Sequence, residues 1–325
     1  MRVSCFFATS RHCFELVITR CKLFLMCFSL KYQIILVFLA IEIKFLLVTD
    51  EVMRITHILN KVDRFLHPSN IYALQPDHDL LRKNRSLIKS NDIVLLSYPR
   101  SGNTWLRRLL ANSILESQKS LISIQSDIPF ETVIPSIYTQ SLEPSCLHNY
   151  QDISQRIIKS HEHRDAKGHR TIYLMRNPVD TLVSWYHFVC GSPKLLNQFP
   201  WIQDLSIDEF CLNAVEGWAK HIQQTRKYEN ILLVEYENLF QYPNQVLGEI
   251  LSFCGIPQHN IDLDRVIENQ SIRKLKPVTQ SLELRKGGVG HGNVELQADT
   301  VAELQKYQNL IDTKWKPAIE LITQS

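Results

Sequence analysis

DIVLLSYPRSGNTWLRRLL, residues 92–110, is the stretch that decides the fold of this 325-residue chain. It begins with the apolar run 93–96, and the turn 98–102 follows directly. Apolar side chains then recur at the spacings of three and four that are typical of a helix: Trp105, Leu106, Leu109 and Leu110. The pattern predicts a strand, a tight turn and a helix. This arrangement directs several backbone N–H groups and the positive end of the helix dipole at one point.

The residues of this turn favour an anion as the ligand. Gly102 allows the backbone to approach an oxyanion closely, and Arg100 adds a fixed positive charge. Ser101 and Thr104 add hydroxyl donors. The G-x-x-x-x-G-K-[ST] spacing of a Walker A loop is absent. The alternative is the turn of an ordinary α/β protein, but a cation and two hydroxyls in one turn favour nucleotide binding.

The octapeptide YPRSGNTW resembles the 5′-phosphosulfate loop of PAPS-dependent sulfotransferases, commonly written YPKSGTTW. The resemblance implies an α/β fold, in which a single domain has a central parallel sheet flanked by helices and a P-loop-like strand–loop–helix. It also implies 3′-phosphoadenylyl sulfate (PAPS) as the sulfuryl donor. The residues that would cradle the phosphosulfate are Arg100, Ser101, Gly102, Asn103, Thr104 and Trp105. Arg100 replaces the family's usual Lys, which keeps the charge and changes the donor geometry.

Composition excludes some classes of ligand. The chain has 36 basic and 33 acidic residues and a net charge of +3, a balance too mild to indicate nucleic acid and compatible with a small anionic ligand. None of the eight cysteines forms a C-x-x-C pair, and no carboxylate cluster stands out, so no metal is predicted. The four cysteines after residue 52 are widely scattered, which indicates buried free thiols in a reducing compartment.

Residues 1–52 differ from the predicted sulfotransferase domain, residues 53–325. The apolar runs 23–30 and 34–41 are separated by Lys31 and end at Glu42, whereas a membrane-spanning helix needs about 20 mostly apolar residues. Three interpretations remain open: a membrane anchor through residues 23–47, a buried helical extension, or an upstream extension of the reading frame with the true start at Met53. In a secretory compartment, Asn84 and Asn269 would both begin glycosylation sequons, the second in a segment expected at the nucleotide. We therefore expect a cytoplasmic protein.

The segment RIIKSH, residues 156–161, predicts a short strand that ends near His161. His161 is either a surface residue of a histidine-rich loop or a functional group. The segment resembles the K-[ST]-H segment of the sulfotransferases, which implies that His161 takes the proton of the acceptor hydroxyl and that Lys159 contributes a catalytic cation. The family continues with Leu-Pro, whereas this chain has Glu162 and His163, so a different wall of the acceptor site is expected.

TIYLMR, residues 171–176, predicts a buried strand, and Asn177 with Pro178 suits the start of a helix. Arg176 lies at the end of this strand, where parallel sheets bind ligands, although it is also placed to pair with Asp180. RNPVDTLVSWYHF, residues 176–188, resembles the family's second signature, in which the matching Arg and Ser hold the 3′-phosphate. By this resemblance, Arg176 and Ser184 have that role.

Three later segments complete the resemblance. ILLVEY, residues 231–236, predicts a strand. The segment that begins at Tyr236, residues 236–239, resembles the family's YEDL, which implies that Tyr236 lies near the adenine. The alternative is that Tyr236 only caps the strand. NQSIRKL, residues 269–275, resembles a family segment whose Phe packs on adenine. Ile272 occupies the place of that Phe here, so that only an apolar contact with the adenine is expected. RKGGVG resembles the family's RKGxxGDW and implies that Arg285, Lys286 and Gly287 clamp the 3′-phosphate; a solvated basic turn is the alternative. His291 and Gly292 replace Asp-Trp.

The order and spacing of these segments predict a sulfotransferase. It would transfer the sulfuryl group in line to a hydroxyl or amine of a small-molecule or glycan acceptor. Two alternatives remain: a nucleotide-binding relative without catalysis, and a P-loop kinase, which requires G-K-[ST] and a magnesium-binding Asp. We expect residues 117–153 and 190–205 to line the acceptor site, but neither segment has a recognisable chemistry. The sequence predicts no oligomeric state.

Overall fold

The computed structural model describes residues 77–118, 128–148, 153, 155–275 and 287–312. The N-terminal extension 1–52, the boundary at Met53, and the predicted phosphate ligands Arg285 and Lys286 lie outside the described residues. Within those described ranges, no helix has the length and apolar character needed to cross a membrane.

A parallel sheet of four strands in the order β2-β1-β3-β4 forms the centre of the fold. Leu96 of β1 is paired with Ser160 on one side and with Tyr173 on the other. Parallel neighbours require crossover connections, and helices supply them here. The predicted parallel sheet is therefore confirmed. The strands are β1 (Ile93–Ser97), β2 (Ile157–Ser160), β3 (Arg170–Met175) and β4 (Ile231–Glu235).

Helices cover both faces of the sheet because alternate strand residues point to opposite sides. Val94 and Leu96 belong to one apolar cluster, and Ile93 and Leu95 belong to the other. The helices are α1 (His78–Ser86), α2 (Asn103–Ser117), α3 (Phe130–Val133), α4 (His163–Ala166), α5 (Pro178–Cys190), α6 (Pro193–Gln198), α7 (Ile207–Thr225), α8 (Tyr236–Gln241), α9 (Pro243–Cys254), α10 (Leu263–Asn269), α11 (Ile272–Leu275) and α12 (Ala298–Asp312). Short 3-10 helices occupy Pro144–Cys146, Pro200–Asp204 and His291–Val294.

The predicted start of α5 is confirmed. The Asn177 side chain accepts the N–H of Asp180, and Pro178 occupies the first turn, where its missing N–H costs nothing. The four strands end at Ser97, Ser160, Met175 and Glu235, and a candidate site residue or loop follows each of them directly. The topology thus brings segments that are far apart in sequence to one edge of the sheet.

Part of the segment expected to line the acceptor site is an ordered extension of the sheet. The Lys159 N–H donates to the Pro135 carbonyl at 2.8 Å, and the Ile137 N–H donates to the Lys159 carbonyl at 3.2 Å. The fully buried Asn84 side chain donates to the carbonyls of Ile137 and Gln140, at 2.9 and 2.7 Å. Asn84, the first residue of a sequon, is therefore a structural residue that a glycan cannot reach in this fold.

The prediction of buried thiols is only half right. Cys146, Cys190, Cys211 and Cys254 are all free, but Cys146 is exposed and Cys190 is partly exposed. Cys146 lies in a 3-10 turn at the surface, whereas Cys211 and Cys254 lie on the inner faces of α7 and α9.

Candidate functional site

The loop between β1 and α2 has the geometry of an anion site. Gly102 caps the N-terminus of α2 with φ +98°, a conformation that favours glycine. A Cβ on Gly102 would lie 2.4 Å from the Tyr236 ring, so space as well as conformation requires glycine. The Ser101 hydroxyl is fully buried and has no partner among the described residues. A buried donor without a protein partner, beside a helix N-terminus, fits an anionic ligand.

Arg100 connects this loop to α5. Its φ is +66°, which is uncommon for a residue with a side chain. Its Nε lies 3.3 Å from the Ser184 hydroxyl, and its guanidinium carbon is 4.5 Å from the centroid of the Phe188 ring. Two residues that the sequence assigned to opposite ends of the donor are therefore in contact.

An aromatic cavity adjoins the loop. Trp105 donates its indole N–H to the Gln270 carbonyl at 3.1 Å, and its ring meets Tyr236 edge-on at 5.7 Å. Phe240 stacks on Tyr236 at 6.4 Å. The cavity has a volume of about 420 Å³, and its lining includes Trp105, Tyr236, Phe240, Ser271, Gly287, Gly288, Val289 and His291. An apolar, aromatic cavity of this size suits a nucleobase.

Sequence reasoning missed Phe240, although its position four residues after Tyr236, on the same face of α8, was a readable signal. Tyr236 itself is a buried contact between several parts of the site. The Arg176 guanidinium lies 4.5 Å from the centroid of its ring, and its hydroxyl bonds to the Gly288 backbone. Burial raises the pKa of the Tyr236 phenol, so the hydroxyl stays protonated.

Arg176 and Asp180 connect α5 to the last loop of the site. Arg176 donates to the Gly288 carbonyl at 2.8 Å and lies 3.5 Å from the Asp180 carboxylate, so the pairing that sequence offered as an alternative occurs together with a loop contact. Asp180 also accepts the N–H groups of Gly290 and Gly292, each at 2.8 Å. Burial by itself would raise the pKa of Asp180, but the Arg176 charge and these hydrogen bonds together lower it by more, so the net shift of the pKa is downward. The carboxylate is charged and holds the loop in place.

His161, which directly follows β2, is oriented as a proton acceptor. Its Nδ1 lies 2.7 Å from the Ser97 carbonyl. A carbonyl oxygen only accepts, so Nδ1 carries the hydrogen and Nε2 carries the lone pair. Burial and then the Lys159 charge hold the pKa of His161 well below its ordinary value. The imidazole is therefore neutral at pH 7, as a general base must be.

A second histidine, His221 on α7, fixes the backbone of His161. Its Nε2–H donates to the His161 carbonyl at 3.0 Å, and its Nδ1 accepts the Tyr173 hydroxyl at 2.7 Å. Burial, with a smaller contribution from His163, lowers the pKa of His221 to about 3, so this ring stays neutral. Sequence reasoning missed His221, because no local signal separates it from an ordinary buried histidine of a helix.

Lys159 lies on β2 and is 8% exposed. Its ammonium group lies 4.8 Å from the centroid of the Tyr138 ring, another residue that sequence reasoning missed. Ser97 joins this part of the site to the anion loop, since its hydroxyl lies 3.4 Å from the Asn103 amide nitrogen.

The fold gathers most of the predicted residues at the carboxyl ends of the strands. Thr104 is half-buried in the first turn of α2, and Gly287, with φ +63°, lines the cavity. Ile272 begins α11, which directly follows Ser271 of the cavity. Among the described residues, no three His, Cys, Asp or Glu side chains are grouped to hold a metal ion.

Solved structures share this architecture. Mouse sulfotransferase SULT7A1 in complex with PAP superposes with a TM-score of 0.53 at 20% identity, over 76% of this chain and 92% of that one. Retinol dehydratase in complex with androsterone and PAP superposes with a TM-score of 0.53 at 15% identity, over 75% of this chain and 88% of the other. At these identities the likeness shows the fold alone.

Sequence comparison identifies the family. The family profile described as Sulfotransferase domain matches residues 90–314. Human sulfotransferase 2A1 is 29% identical over 265 residues, which cover 73% of this chain and 89% of the relative. The 3-alpha-hydroxysteroid sulfotransferase of Cavia porcellus is 27% identical over 269 residues, covering 73% and 88%. The predicted family is confirmed: this chain belongs to the sulfotransferase family.

Proposed function

We propose that this protein transfers a sulfuryl group from PAPS to a hydroxyl or amine of an acceptor, with His161 as the general base. The observation that carries the proposal is the bond between His161 Nδ1 and the Ser97 carbonyl. It presents a neutral imidazole beside an anion loop whose buried Ser101 hydroxyl has no protein partner among the described residues.

The residues present fit this donor. The backbone of the anion loop, Ser101 and Arg100 would hold the phosphosulfate, the cavity beside Trp105 and Tyr236 would hold the adenine, and Arg176 with Ser184 would hold the 3′-phosphate. In support, the two structural neighbours were solved with PAP, the nucleotide that remains after sulfuryl transfer. Arg285 and Lys286 are proposed as further phosphate ligands on the resemblance alone.

Each proposed catalytic residue has a distinct task. His161 Nε2 takes the proton from the acceptor hydroxyl as the oxygen attacks. PAPS would supply the sulfuryl group: its bond between sulfur and the bridging oxygen breaks as the acceptor oxygen binds sulfur, and PAP leaves with added negative charge on its 5′-phosphate. Lys159 and Arg100 are the cations proposed to stabilise that charge, and their partly buried surroundings strengthen the interaction.

The relatives favour a small-molecule alcohol as the acceptor. The Cavia porcellus relative is named for a hydroxysteroid, and retinol dehydratase was solved with androsterone. A glycan remains the alternative.

Adenosine 3′,5′-bisphosphate (PAP) separates this proposal from a kinase. We expect PAP to raise the melting temperature by mass action. At a PAP concentration of 100 times its dissociation constant, the free energy of unfolding rises by about 2.7 kcal/mol. ATP with magnesium should stabilise much less, because Arg176 and Ser184 select a 3′-phosphate. Equal stabilisation would contradict the proposal. PAP binding without transfer of radiolabel from PAPS to any acceptor of a broad panel would instead indicate a nucleotide-binding relative without catalysis.

A further inference from the structure

Tyr138 contacts two of the proposed catalytic residues, Lys159 on β2 and His161 directly after this strand. Its ring stacks on the His161 imidazole, with the centroids 5.8 Å apart and the planes 19° from parallel. The Lys159 ammonium lies 4.8 Å from the centroid of the same ring. One side chain therefore touches the base and the cation at once.

The hydrogen bonds of the Tyr138 hydroxyl have a single consistent direction. Ser160 donates to the Asp165 carboxylate at 2.7 Å, since a carboxylate paired with Arg85 only accepts. The Ser160 oxygen must then accept the Tyr138 O–H, which lies 3.1 Å away. The Tyr138 oxygen in turn accepts the backbone N–H of His161 at 3.0 Å. A chain of donors thus runs from His161 to the Arg85–Asp165 ion pair.

The sheet extension brings Tyr138 to this position. The Lys159 N–H donates to the Pro135 carbonyl, and the Lys159 carbonyl accepts the Ile137 N–H. The Asn84 side chain donates to the carbonyls of Ile137 and Gln140, on either side of Tyr138 in the chain. These bonds fix the backbone next to Tyr138, so the ring does not depend on the acceptor or the donor for its placement.

His161 is consequently held at three points. The Ser97 carbonyl fixes Nδ1, His221 fixes the backbone carbonyl, and Tyr138 fixes the backbone N–H. Of these three partners, Tyr138 is the one whose ring also seats Lys159.

We propose that Tyr138 is a positioning residue that sets the relative placement of His161 and Lys159. This inference rests on the proposed function of those two residues. The hydroxyl orients the base through its backbone, and the ring keeps the ammonium group beside it. Misplacing a catalytic group by about 1 Å lowers rates by roughly 100-fold, so such an indirect contact has a measurable effect.

The charges around His161 make its titration a sensor of this arrangement. After burial, Lys159 is the strongest influence that lowers the pKa of His161; His221 and Arg107 act in the same direction, and the hydrogen bond to the Ser97 carbonyl raises it. The Asp165 carboxylate is paired with Arg85. Moving Lys159 away should therefore raise the pKa of His161.

Two substitutions separate the hydroxyl from the ring. Tyr138→Phe keeps the aromatic ring, and with it the stacking on His161 and the contact with Lys159, but removes the hydroxyl that accepts the His161 N–H. Tyr138→Leu removes the ring as well as the hydroxyl. The pH dependence of His161 carbethoxylation by diethyl pyrocarbonate, followed by peptide mass spectrometry, gives the titration without any acceptor. We expect the midpoint in Tyr138→Leu to rise by about 0.5–1 pH unit, and that in Tyr138→Phe to move little.

Turnover supplies the second readout, with labelled PAPS and the best acceptor of a panel of phenols and steroid alcohols. We expect Tyr138→Phe to lower kcat about 10- to 100-fold while PAP affinity, measured by calorimetry, stays unchanged. Tyr228→Phe is the matched control, because the Tyr228 hydroxyl donates to the His163 carbonyl at 2.7 Å without touching His161. It should retain turnover.

Unchanged kcat in Tyr138→Phe, an equal loss in Tyr228→Phe, or an unchanged His161 titration in Tyr138→Leu would each overturn the inference. If the unmodified protein transfers no label, the proposed function fails, and the carbethoxylation midpoints still decide whether Tyr138 places Lys159 beside His161.

Discussion

The Nε atom of Arg100 lies 3.3 Å from the Ser184 hydroxyl, so a loop residue proposed for the phosphosulfate contacts a helix residue proposed for the 3′-phosphate. The hydroxyl accepts this bond and keeps its own hydrogen for donation. The guanidinium also lies over Phe188, which limits its movement. The contact connects the two proposed phosphate sites.

We expect Arg100→Gln to weaken PAP binding about 10- to 100-fold, the scale of a lost hydrogen bond to a charged group. Ser184→Ala should weaken it less, and the double variant should lose less than the sum of the two because the residues are in contact. Calorimetry with PAP measures all three. Arg108→Gln is the control, since Arg108 also lies over a ring, that of Phe130 at 4.3 Å, on another part of α2. Additive losses would contradict the coupling.

His161→Ala should lower turnover at least about 100-fold, the usual scale for a general base, and leave PAP affinity nearly intact. His163→Ala is the comparison, because His163 bonds to Thr225 rather than to Ser97. Loss of turnover in His163→Ala alone would show that the wrong histidine was chosen.

The acid limb of the pH–rate profile should lie below the ordinary pKa of histidine. His161 acts as a base only when neutral, and burial together with Lys159 lowers its pKa. Turnover should therefore persist as the pH falls through 6.5 and decline only through the lowered pKa. A limb at or above 6.5 would contradict the assignment of this limb to His161.

Gly102→Ala should abolish or strongly weaken PAP binding and destabilise the fold. The new Cβ would lie 2.4 Å from the Tyr236 ring in a backbone with φ +98°. Gly255→Ala is the matched control: its φ is +68° and no atom lies within 4 Å of the added Cβ. It should lose only the roughly 1–2 kcal/mol of the strained conformation. Denaturant unfolding and calorimetry compare the two, and equal effects would contradict the role of the Tyr236 contact.

Asn84→Ala should lower the free energy of unfolding by about 2–4 kcal/mol, because it leaves buried backbone groups of Ile137, Gln140 and Leu142 without their partner. PAP affinity should stay nearly unchanged. Asn112→Ala, which removes one bond to a helix carbonyl, should change stability little. A loss in Asn84→Ala no larger than that in the control would show that the segment is held by other contacts.

We also expect a cytoplasmic protein in which a chain starting at Met53 expresses in soluble form and binds PAP fully. The apolar runs before Met53 are interrupted by charges, which disfavours their insertion into a bilayer. An insoluble product, together with a full-length protein that survives carbonate washing of membranes, would instead make residues 23–47 an anchor.

The amino-acid sequence by itself determined the strand–turn–helix and the start of α5, because apolar runs, Gly102 and the Asn177–Pro178 pair are local patterns. The parallel sheet and the family followed from the resemblance of its ordered motifs to those of the sulfotransferases. The sequence also indicated His161, because Lys159-Ser160-His161 is a contiguous motif. It offered no sign of Tyr138 or His221, which contact His161 across separations of 23 and 60 residues.

Tertiary structure alone decided those contacts. Whether His161 is neutral, which nitrogen carries its hydrogen, and where Lys159 lies depend on burial and on the Ser97 carbonyl. The contact between Arg100 and Ser184 likewise requires that β1 and β3 be neighbours. Local sequence encodes the propensity and chemistry of each segment, but the pKa and orientation of a side chain depend on neighbours that only the folded chain brings together.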